Sequence, residues 1–243
     1  MTRARSAGRS IVLCLGAIAA IAAVVMLPAH TRQGVDFHVS TLSIPAYVKV
    51  TDFVDRHWHY GLLAREVAAG QSTDRARAVA IYRWTREHVR HAPDGWPIVD
   101  DHILHIIIRG YGQSDQLADV FTTLTSYAGL PSYWIKIRRA EGNVIFSLVN
   151  IDGRWTVFDV WNDFAFLDER GDWPDATQLA ADPTLADPIV RGFAVNGRPY
   201  ADYLAELPQH PAPHTTRAEL QMPWPRVLYE VRRAVGLERA DVP

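Results

Sequence analysis

The stretch GYGQSDQLADVF, residues 110–121, joins a glycine-rich turn to the start of a predicted helix. From Leu117 to Ala128 apolar residues recur at helical spacing, and Gly129-Leu130-Pro131 is typical of a helix end. Ser114 lies at the junction, where serine is a good helix N-cap and where the nucleophile of an enzyme is also found. The pattern favours the cap and leaves the nucleophile as the alternative.

Three strand-like runs follow this helix, at residues 133–138, 144–151 and 154–160. Asp152-Gly153 lies between the last two runs and is a strong signal for a two-residue hairpin. The middle run is apolar on both faces apart from Ser147 and Asn150, which predicts a central strand. A helix followed by antiparallel strands indicates an α+β fold, with the helix packed on the sheet.

An earlier helix is predicted with Thr73 as its N-cap and Asp74 in its first turn. Five residues fall on one side of this helix, as expected for a core-facing stripe: Ala78, Ile81, Tyr82, Thr85 and Val89. Residues 47–69 also follow a helical pattern, which is interrupted around His57-Trp58-His59. After Trp161 the recurring prolines predict an ordered loop region with short helices.

The N-terminus indicates export. Three arginines precede an uncharged run of 17 residues, 11–27, which is at the border between a secretory signal and a spanning helix. Leu27-Pro28-Ala29 is a poor cleavage site, so an uncleaved signal anchor is favoured over a cleaved signal peptide. In both cases the arginines keep the N-terminus in the cytoplasm and the remaining chain is exported.

The resulting domain prediction has four parts. Residues 1–29 are the membrane anchor and the polar residues 30–44 are a linker. Residues 45–200 are the folded domain, with its core at 74–163, and residues 201–243 are a C-terminal tail with a helix. The localisation that follows is a single-pass inner or plasma membrane protein with its domain outside the cytoplasm, or a secreted or periplasmic protein if the signal is cleaved.

Composition excludes several classes of function. The net charge is −2, which gives no charge-based case for nucleic-acid binding. Cys14 is the only cysteine, so an intramolecular disulfide and a cysteine-based zinc site are both excluded. The pairs His57/His59 and His102/His105 have spacings that metal ligands can adopt, but no carboxylate set accompanies them in sequence. We expect no metal and no cofactor.

The order of these motifs resembles the core of the transglutaminase-like superfamily, which is similar to papain-type cysteine proteases. In that family a Gly-x-Cys-x-Asp-x-Ala pattern opens a helix that ends at Gly-Ile/Leu-Pro. A strand with a histidine, an Asp-Gly-x-Trp hairpin and an aspartate four residues after the tryptophan follow. Here residues 112–118 occupy the first pattern, residues 129–131 the second and residues 152–155 the hairpin, and Asp159 follows at the family's spacing.

The resemblance places the family's catalytic triad at Ser114, Val144 and Asp159. Serine stands in the cysteine's position, and valine stands where the histidine is expected, eleven residues before Trp155. A helix dipole favours a thiolate but does not ionise a serine hydroxyl, which depends on a neighbouring base. No histidine lies between residues 106 and 209, so a base for Ser114 has to come from a flanking segment. The flanking candidates are His102, His105, His210 and His214.

Two hypotheses follow from the resemblance. The first is a non-catalytic member of the family, which uses the family's cleft to bind a peptide, protein or polysaccharide of the cell envelope. Ser114 is then a helix cap and Asp159 a structural hydrogen-bond acceptor. The second is a serine-dependent amidase or acyltransferase that uses Ser114, a displaced histidine and Asp159.

Overall fold

The computed structural model describes residues 15–16, 21–35, 38–97, 99–166, 174–208 and 215–237. The chain divides into two compact units, residues 1–55 and 56–243, and each is described by itself. No helix in the described ranges is both long enough and apolar enough to span a membrane. Much of the predicted anchor, including residues 1–14 and 17–20, lies outside these ranges.

The first unit contains an antiparallel hairpin. Strand β1 (Pro28–Val35) pairs with β2 (His38–Pro45) along its whole length, from Pro28↔Pro45 to Val35↔His38. Residues 30–44, which the sequence analysis interprets as a polar linker, thus lie mostly in two paired strands. Residues 38–44 include the β-branched residues Val39, Thr41 and Ile44, and this composition is a strand signal.

Helix α1 (Ala46–Val67) continues without a break through His57-Trp58-His59, contrary to the predicted interruption. Tyr60 and Ala64 lie one turn apart and are both fully buried, so the helical spacing of core residues continues past the polar triplet. His57 Nδ1 lies 2.8 Å from the hydroxyl of Tyr127. Because that hydroxyl donates to the carbonyl of Gln221, the imidazole N–H is the donor to Tyr127.

The remaining elements of the second unit follow the predicted order. Helix α2 is Asp74–His88, β3 is Arg90–His91, α3 is Ile103–Arg109, β4 is Tyr111–Gly112 and α4 is Ser114–Tyr127. The sheet strands are β5 (Ser132–Arg139), β6 (Gly142–Ile151), β7 (Arg154–Asp159) and β8 (Phe164–Ala165). After them come α5 (Ala176–Ala181), α6 (Asp187–Val190), β9 (Ala194–Val195), β10 (Arg198–Pro199), α7 (Ala201–Leu204) and α8 (Pro223–Ala234).

The four-stranded sheet is antiparallel throughout, in the order β5-β6-β7-β8. Asp152 and Gly153 both have positive φ, 51° and 82°, as a type I′ hairpin turn requires, which confirms the predicted turn between β6 and β7. The predicted cap of α2 is also confirmed, because the Thr73 side chain accepts a hydrogen bond from the N–H of Ala76 at 3.1 Å. The α+β prediction holds for the described residues.

Two hydrophobic clusters form on the two faces of this sheet. The first contains the buried residues of α2 and α4 with Val149, Ile151 and Phe158 of the sheet. The second contains Val144, Phe146, Leu148 and Val157 with residues of α5 and α7. Side chains alternate along a strand, so odd-numbered residues of β6 face α4 and even-numbered residues face α7. This division determines where each candidate site residue can point.

Candidate functional site

The glycine-rich turn of the opening stretch needs both of its glycines, for different reasons. Gly110 is the C-cap of α3 with φ 71°, and its N–H bonds the carbonyl of Ile106. Gly112 lies so close to the next helix that a Cβ would come within 3.0 Å of Gln116 and 3.3 Å of Ile106. The first glycine is required by backbone conformation and the second by close packing.

Ser114 is not the N-cap of α4, which corrects the prediction. The first helical hydrogen bond runs from the N–H of Leu117 to the carbonyl of Gln113 at 2.9 Å, so Gln113 is the cap. The side chain of Gln116 reaches back, and its Oε1 accepts from the N–H of Gln113 at 3.0 Å. Ser114 is the first residue within the helix, and its side chain is half-buried. Sequence reasoning missed this glutamine capping box because serine is the commoner cap.

Gln116 also organises the loop before α3. Its Nε2 donates to the carbonyl of Asp100 at 3.0 Å and to Oδ1 of Asp101 at 2.7 Å. Its Oε1 accepts from Nη2 of Arg109 at 2.9 Å. Burial raises the pKa of Asp100, but hydrogen bonds from His105 and the N–H of His102, with the charge of Arg109, outweigh it and hold the pKa below its ordinary value.

A buried aspartate lies one turn further along α4. Asp119 is 3% exposed, and its Oδ1 accepts from the indole N–H of Trp134 at 2.6 Å. Its Oδ2 forms an ion pair with Arg217 at 2.9 Å. Burial raises the pKa of Asp119 to about 6, although Arg217 and Trp134 act in the opposite direction. Burial and the charge of Asp101 also raise the pKa of Asp115, and the charge of Lys136 partly offsets this rise.

No hydrogen bond within the described part of the chain involves Ser114 Oγ. His105 Nδ1 lies 3.0 Å from the carboxylate of Asp100, so this candidate base is engaged by Asp100 and not by Ser114. The ring of His102 packs against that of His105 in a tilted arrangement, with ring centroids 4.3 Å apart. The other two candidates, His210 and His214, lie outside the described residues.

Asp159 is fully buried and its carboxylate is occupied by protein donors. It accepts from the backbone N–H of Asn162 at 2.9 Å, from the Asn162 amide at 2.7 Å and from the hydroxyl of Tyr200 at 2.6 Å. The N–H of Trp161 is a further donor. Burial raises the pKa of Asp159, while these hydrogen bonds act to lower it.

Val144 lies on the face of the sheet that α7 covers. It is buried in the cluster that includes Phe146 and Tyr200, and its cross-strand partner is Ile137. Helix α4 packs on the opposite face. The structure therefore does not bring Val144 into contact with the core that surrounds the helix of Ser114.

Sequence reasoning missed two residues near these positions. Tyr200 bonds Asp159 although 41 residues separate them, and only the Asn196-Gly197 turn before Tyr200 signals a local fold there. His91 pairs with Gly112 in the parallel β3–β4 bridge, so its backbone lies beside the turn that leads to Ser114. The ring of His91 stacks on Trp161 at 3.6 Å, and its Nε2 lies 2.9 Å from the Trp161 carbonyl.

No cluster of three or more histidine, cysteine, aspartate or glutamate side chains in the described ranges is arranged to hold a metal ion. The rings of His102 and His105 pack against each other, and the second of them contacts Asp100. Two imidazoles and one carboxylate engaged in this way are explained by ring packing and a hydrogen bond.

A family model matches the part of the chain that contains these residues. Residues 62–176 match the family model described as the Transglutaminase-like superfamily. These residues are therefore similar to a transglutaminase-like domain. The match includes the helix of Ser114, the β5–β7 strands and Asp159, and it stops before β9 and Tyr200.

Two solved structures are similar to the chain. One is a provisionally assigned protease from Parabacteroides distasonis ATCC 8503, 12% identical over 54% of this chain and 35% of that one, with a TM-score of 0.36. The other is a TGase, 12% identical over 54% of this chain and 43% of that one, with a TM-score of 0.37. The chain spans less than half the length of either protein. Among curated proteins, none matches this sequence.

Besides Ser114 and Val144, this region departs from the family pattern at one further position. The pattern Gly-x-Cys-x-Asp-x-Ala places aspartate at residue 116, where this chain has glutamine. The glutamine supplies both an acceptor for Gln113 and Arg109 and a donor for Asp101, which a carboxylate could not do while ionised. The substitution thus fits the hydrogen-bond network that holds the turn.

Proposed function

We propose that this protein is an exported, membrane-anchored member of the transglutaminase-like superfamily that binds a cell-envelope partner without catalysing a reaction. The partner is a peptide, a protein or a polysaccharide. In this proposal the domain keeps the family's scaffold and has lost the cysteine and the histidine of its triad. Ser114 then has no chemical role.

The state of Asp159 carries the proposal. In a triad this carboxylate holds a histidine in the tautomer and orientation that the nucleophile needs. Here Tyr200 and Asn162 donate to it, with the N–H of Trp161, and Val144 offers no ring nitrogen to take their place. A fully buried carboxylate with these donors is a structural acceptor, as hydrogen-bonded buried charges usually are.

The N-terminal sequence supports the anchored location. Arginines at 3, 5 and 9 precede the uncharged run of residues 11–27, the arrangement that retains an N-terminus in the cytoplasm. Fusing a periplasmically active phosphatase after Pro45 tests export, and intact mass of the mature chain tests cleavage. A full-length mass with phosphatase activity is expected, whereas loss of about 29 residues would mean a cleaved signal peptide.

A fluorophosphonate probe tests the absence of catalysis, because it labels serines that a base has activated. We expect no labelling of Ser114 in the full chain. Labelling that persists in Ser72→Ala, an exposed control serine, but disappears in Ser114→Ala would contradict the proposal. Circular dichroism of both variants confirms that they are folded.

One observation favours the alternative of a serine-dependent amidase or acyltransferase. His91 reaches the turn before Ser114 through the β3–β4 bridge, and burial lowers the pKa of its imidazole, which favours the neutral form that a general base requires. If labelling of Ser114 occurs and is lost in His91→Ala as well, His91 is the displaced histidine. If His91→Ala leaves the probe reaction unchanged, the ring serves only the stack on Trp161.

A further inference from the structure

Helix α8 presents an apolar face to solvent. Five residues follow a spacing of three or four along the helix and just beyond it: Trp224, Val227, Leu228, Val231 and Val235. Trp224 is 75% exposed, and Leu228 and Val231 are each 55% exposed. At 3.6 residues per turn these side chains fall within an arc of about 100°, which is the width of a face that normally packs on a core.

The opposite side of the same helix is the side attached to the domain. Tyr229 is buried, and the segment just before the helix is held by two polar contacts with α4. Arg217 pairs with Asp119, and the Tyr127 hydroxyl donates to the carbonyl of Gln221 at 2.6 Å. The helix is therefore fixed with its apolar face turned outward.

The charges of α8 indicate what covers this face. Arg226, Arg232 and Arg233 oppose a single acidic residue, Glu230, so the helix carries a net charge of +2. Arg226 and Arg233 both approach Glu230, and Arg232 follows Val231 on the border of the apolar face. Tryptophan with aliphatic residues on one side and arginine on the other is the composition of helices that lie in a membrane interface.

We propose that α8 lies flat on an anionic lipid bilayer, with Trp224, Leu228 and Val231 inserted at the boundary between headgroups and acyl chains. Arg232, on the border of that face, then lies next to the lipid phosphates, while Arg226 and Arg233 keep the outer side of the helix cationic. Each cationic side chain near an anionic surface contributes about 1 kcal/mol, and the inserted apolar area adds to this. The inference is independent of whether the domain is catalytic and of whether the N-terminal segment is cleaved.

The test uses the full chain with Cys14→Ser, which removes the only cysteine, and one new cysteine at a time. Val231→Cys reports the apolar face, and Arg233→Cys is the matched control two residues later on the opposite face. Each is labelled with an environment-sensitive nitrobenzoxadiazole dye. The labelled protein is reconstituted into vesicles of phosphatidylcholine with phosphatidylglycerol, with and without brominated acyl chains.

We expect a blue-shifted emission at position 231 and severalfold stronger quenching by brominated lipid there than at position 233. The quenching at 231 should fall in vesicles of phosphatidylcholine alone, because the arginines then lose their anionic partner. Equal, weak quenching at both positions overturns the proposal. A blue shift at 231 that depends on protein concentration and is insensitive to brominated lipid also overturns it, and would assign the face to a second copy of the chain.

A double variant tests the same face without depending on a cysteine at position 231 or 233. Leu228→Ser with Val231→Ser removes the apolar face while leaving Tyr229 and both contacts to α4 in place. This variant should keep its melting temperature, because the replaced side chains are exposed, and should lose the vesicle-dependent blue shift of the same dye attached at Val227→Cys on this face. An unchanged shift would contradict insertion of this face.

Discussion

The hydroxyl of Tyr200 donates a 2.6 Å hydrogen bond to Oδ2 of Asp159, and both residues are buried. Tyr200 lies outside the matched family region, which ends at residue 176. A side chain from the C-terminal part of the chain thus satisfies the carboxylate that orients the histidine in the family. The same ring packs against Phe146 and Phe164, so the contact joins α7 to the sheet.

Tyr200→Phe should destabilise the protein. The substitution keeps the ring contacts and removes one donor from a buried carboxylate, which costs about 1–3 kcal/mol of unfolding free energy. Urea unfolding followed by circular dichroism measures the change. Tyr203→Phe is the matched control, because its hydroxyl makes two longer bonds, to the Val195 carbonyl at 3.3 Å and from the Asn196 amide at 3.5 Å, and should cost clearly less. Equal losses of unfolding free energy in the two variants would show that the hydrogen bond to Asp159 stabilises the protein no more than the bonds of Tyr203 do.

Asp119 predicts a specific pH dependence of stability. Its pKa is about 6 in the folded protein against an ordinary value of 3.8, so the folded state binds the proton more tightly. The stability that this group contributes is complete below pH 4 and is lost as the pH rises through 6, by up to about 3 kcal/mol. Asp119→Asn removes this dependence, although losing the charge next to Arg217 adds a constant offset.

The comparison is therefore made between pH values and not between proteins at one pH. The fall in unfolding free energy from pH 4.5 to 7 should be smaller in Asp119→Asn than in the wild type. Asp152→Asn, in the exposed hairpin turn, is the control and should follow the wild-type profile. A parallel profile for Asp119→Asn would mean that its carboxyl titrates at its ordinary pKa.

Gly142 should not tolerate a side chain. Its φ is 149°, and a Cβ there would lie 2.5 Å from the side chain of Asn196. Backbone strain alone costs about 1–3 kcal/mol, and displacement of Asn196 adds to it. Gly153→Ala, with φ 82° and open space around it, measures strain without the clash. Thermal unfolding should show a larger loss for Gly142→Ala, part of which Asn196→Gly in the same chain restores.

The fold was largely predictable where neighbouring residues decide it. The cap at Thr73, the helical stripe from Leu117 and the turn at Asp152-Gly153 are local signals, and each has its predicted structure. The hairpin of residues 28–45 was missed because serine, threonine and histidine, which also form linkers, are frequent in its second strand and its apolar residues do not alternate regularly. Without a regular alternation, local pattern does not distinguish a strand from a linker.

The candidate site was less predictable, because its contacts are long-range. Spacing along the chain places Ser114, Val144 and Asp159 at the family's positions, but spacing does not reveal what replaces a missing side chain. Tyr200 reaches Asp159 across 41 residues, and Arg217 reaches Asp119 across about 100 residues. Such partners depend on how α7 and the C-terminal segment pack, which is decided by tertiary structure.

The roles of Ser114 and Gln116 can be separated by paired substitutions. A serine N-cap replaced by alanine typically costs about 1 kcal/mol. Because Ser114 is inside the helix and its hydroxyl has no partner among the described residues, Ser114→Ala should change the unfolding free energy by no more than about 0.5 kcal/mol. Gln116→Ala should cost about 1–3 kcal/mol, since it removes from a buried position the acceptor for Gln113 and Arg109 and the donor to Asp101. Gln71→Ala, at an exposed position, is the control for loss of a glutamine. If Ser114→Ala proves as costly as Gln116→Ala, the hydroxyl does stabilise the start of α4, and Ser114 is its N-cap in solution.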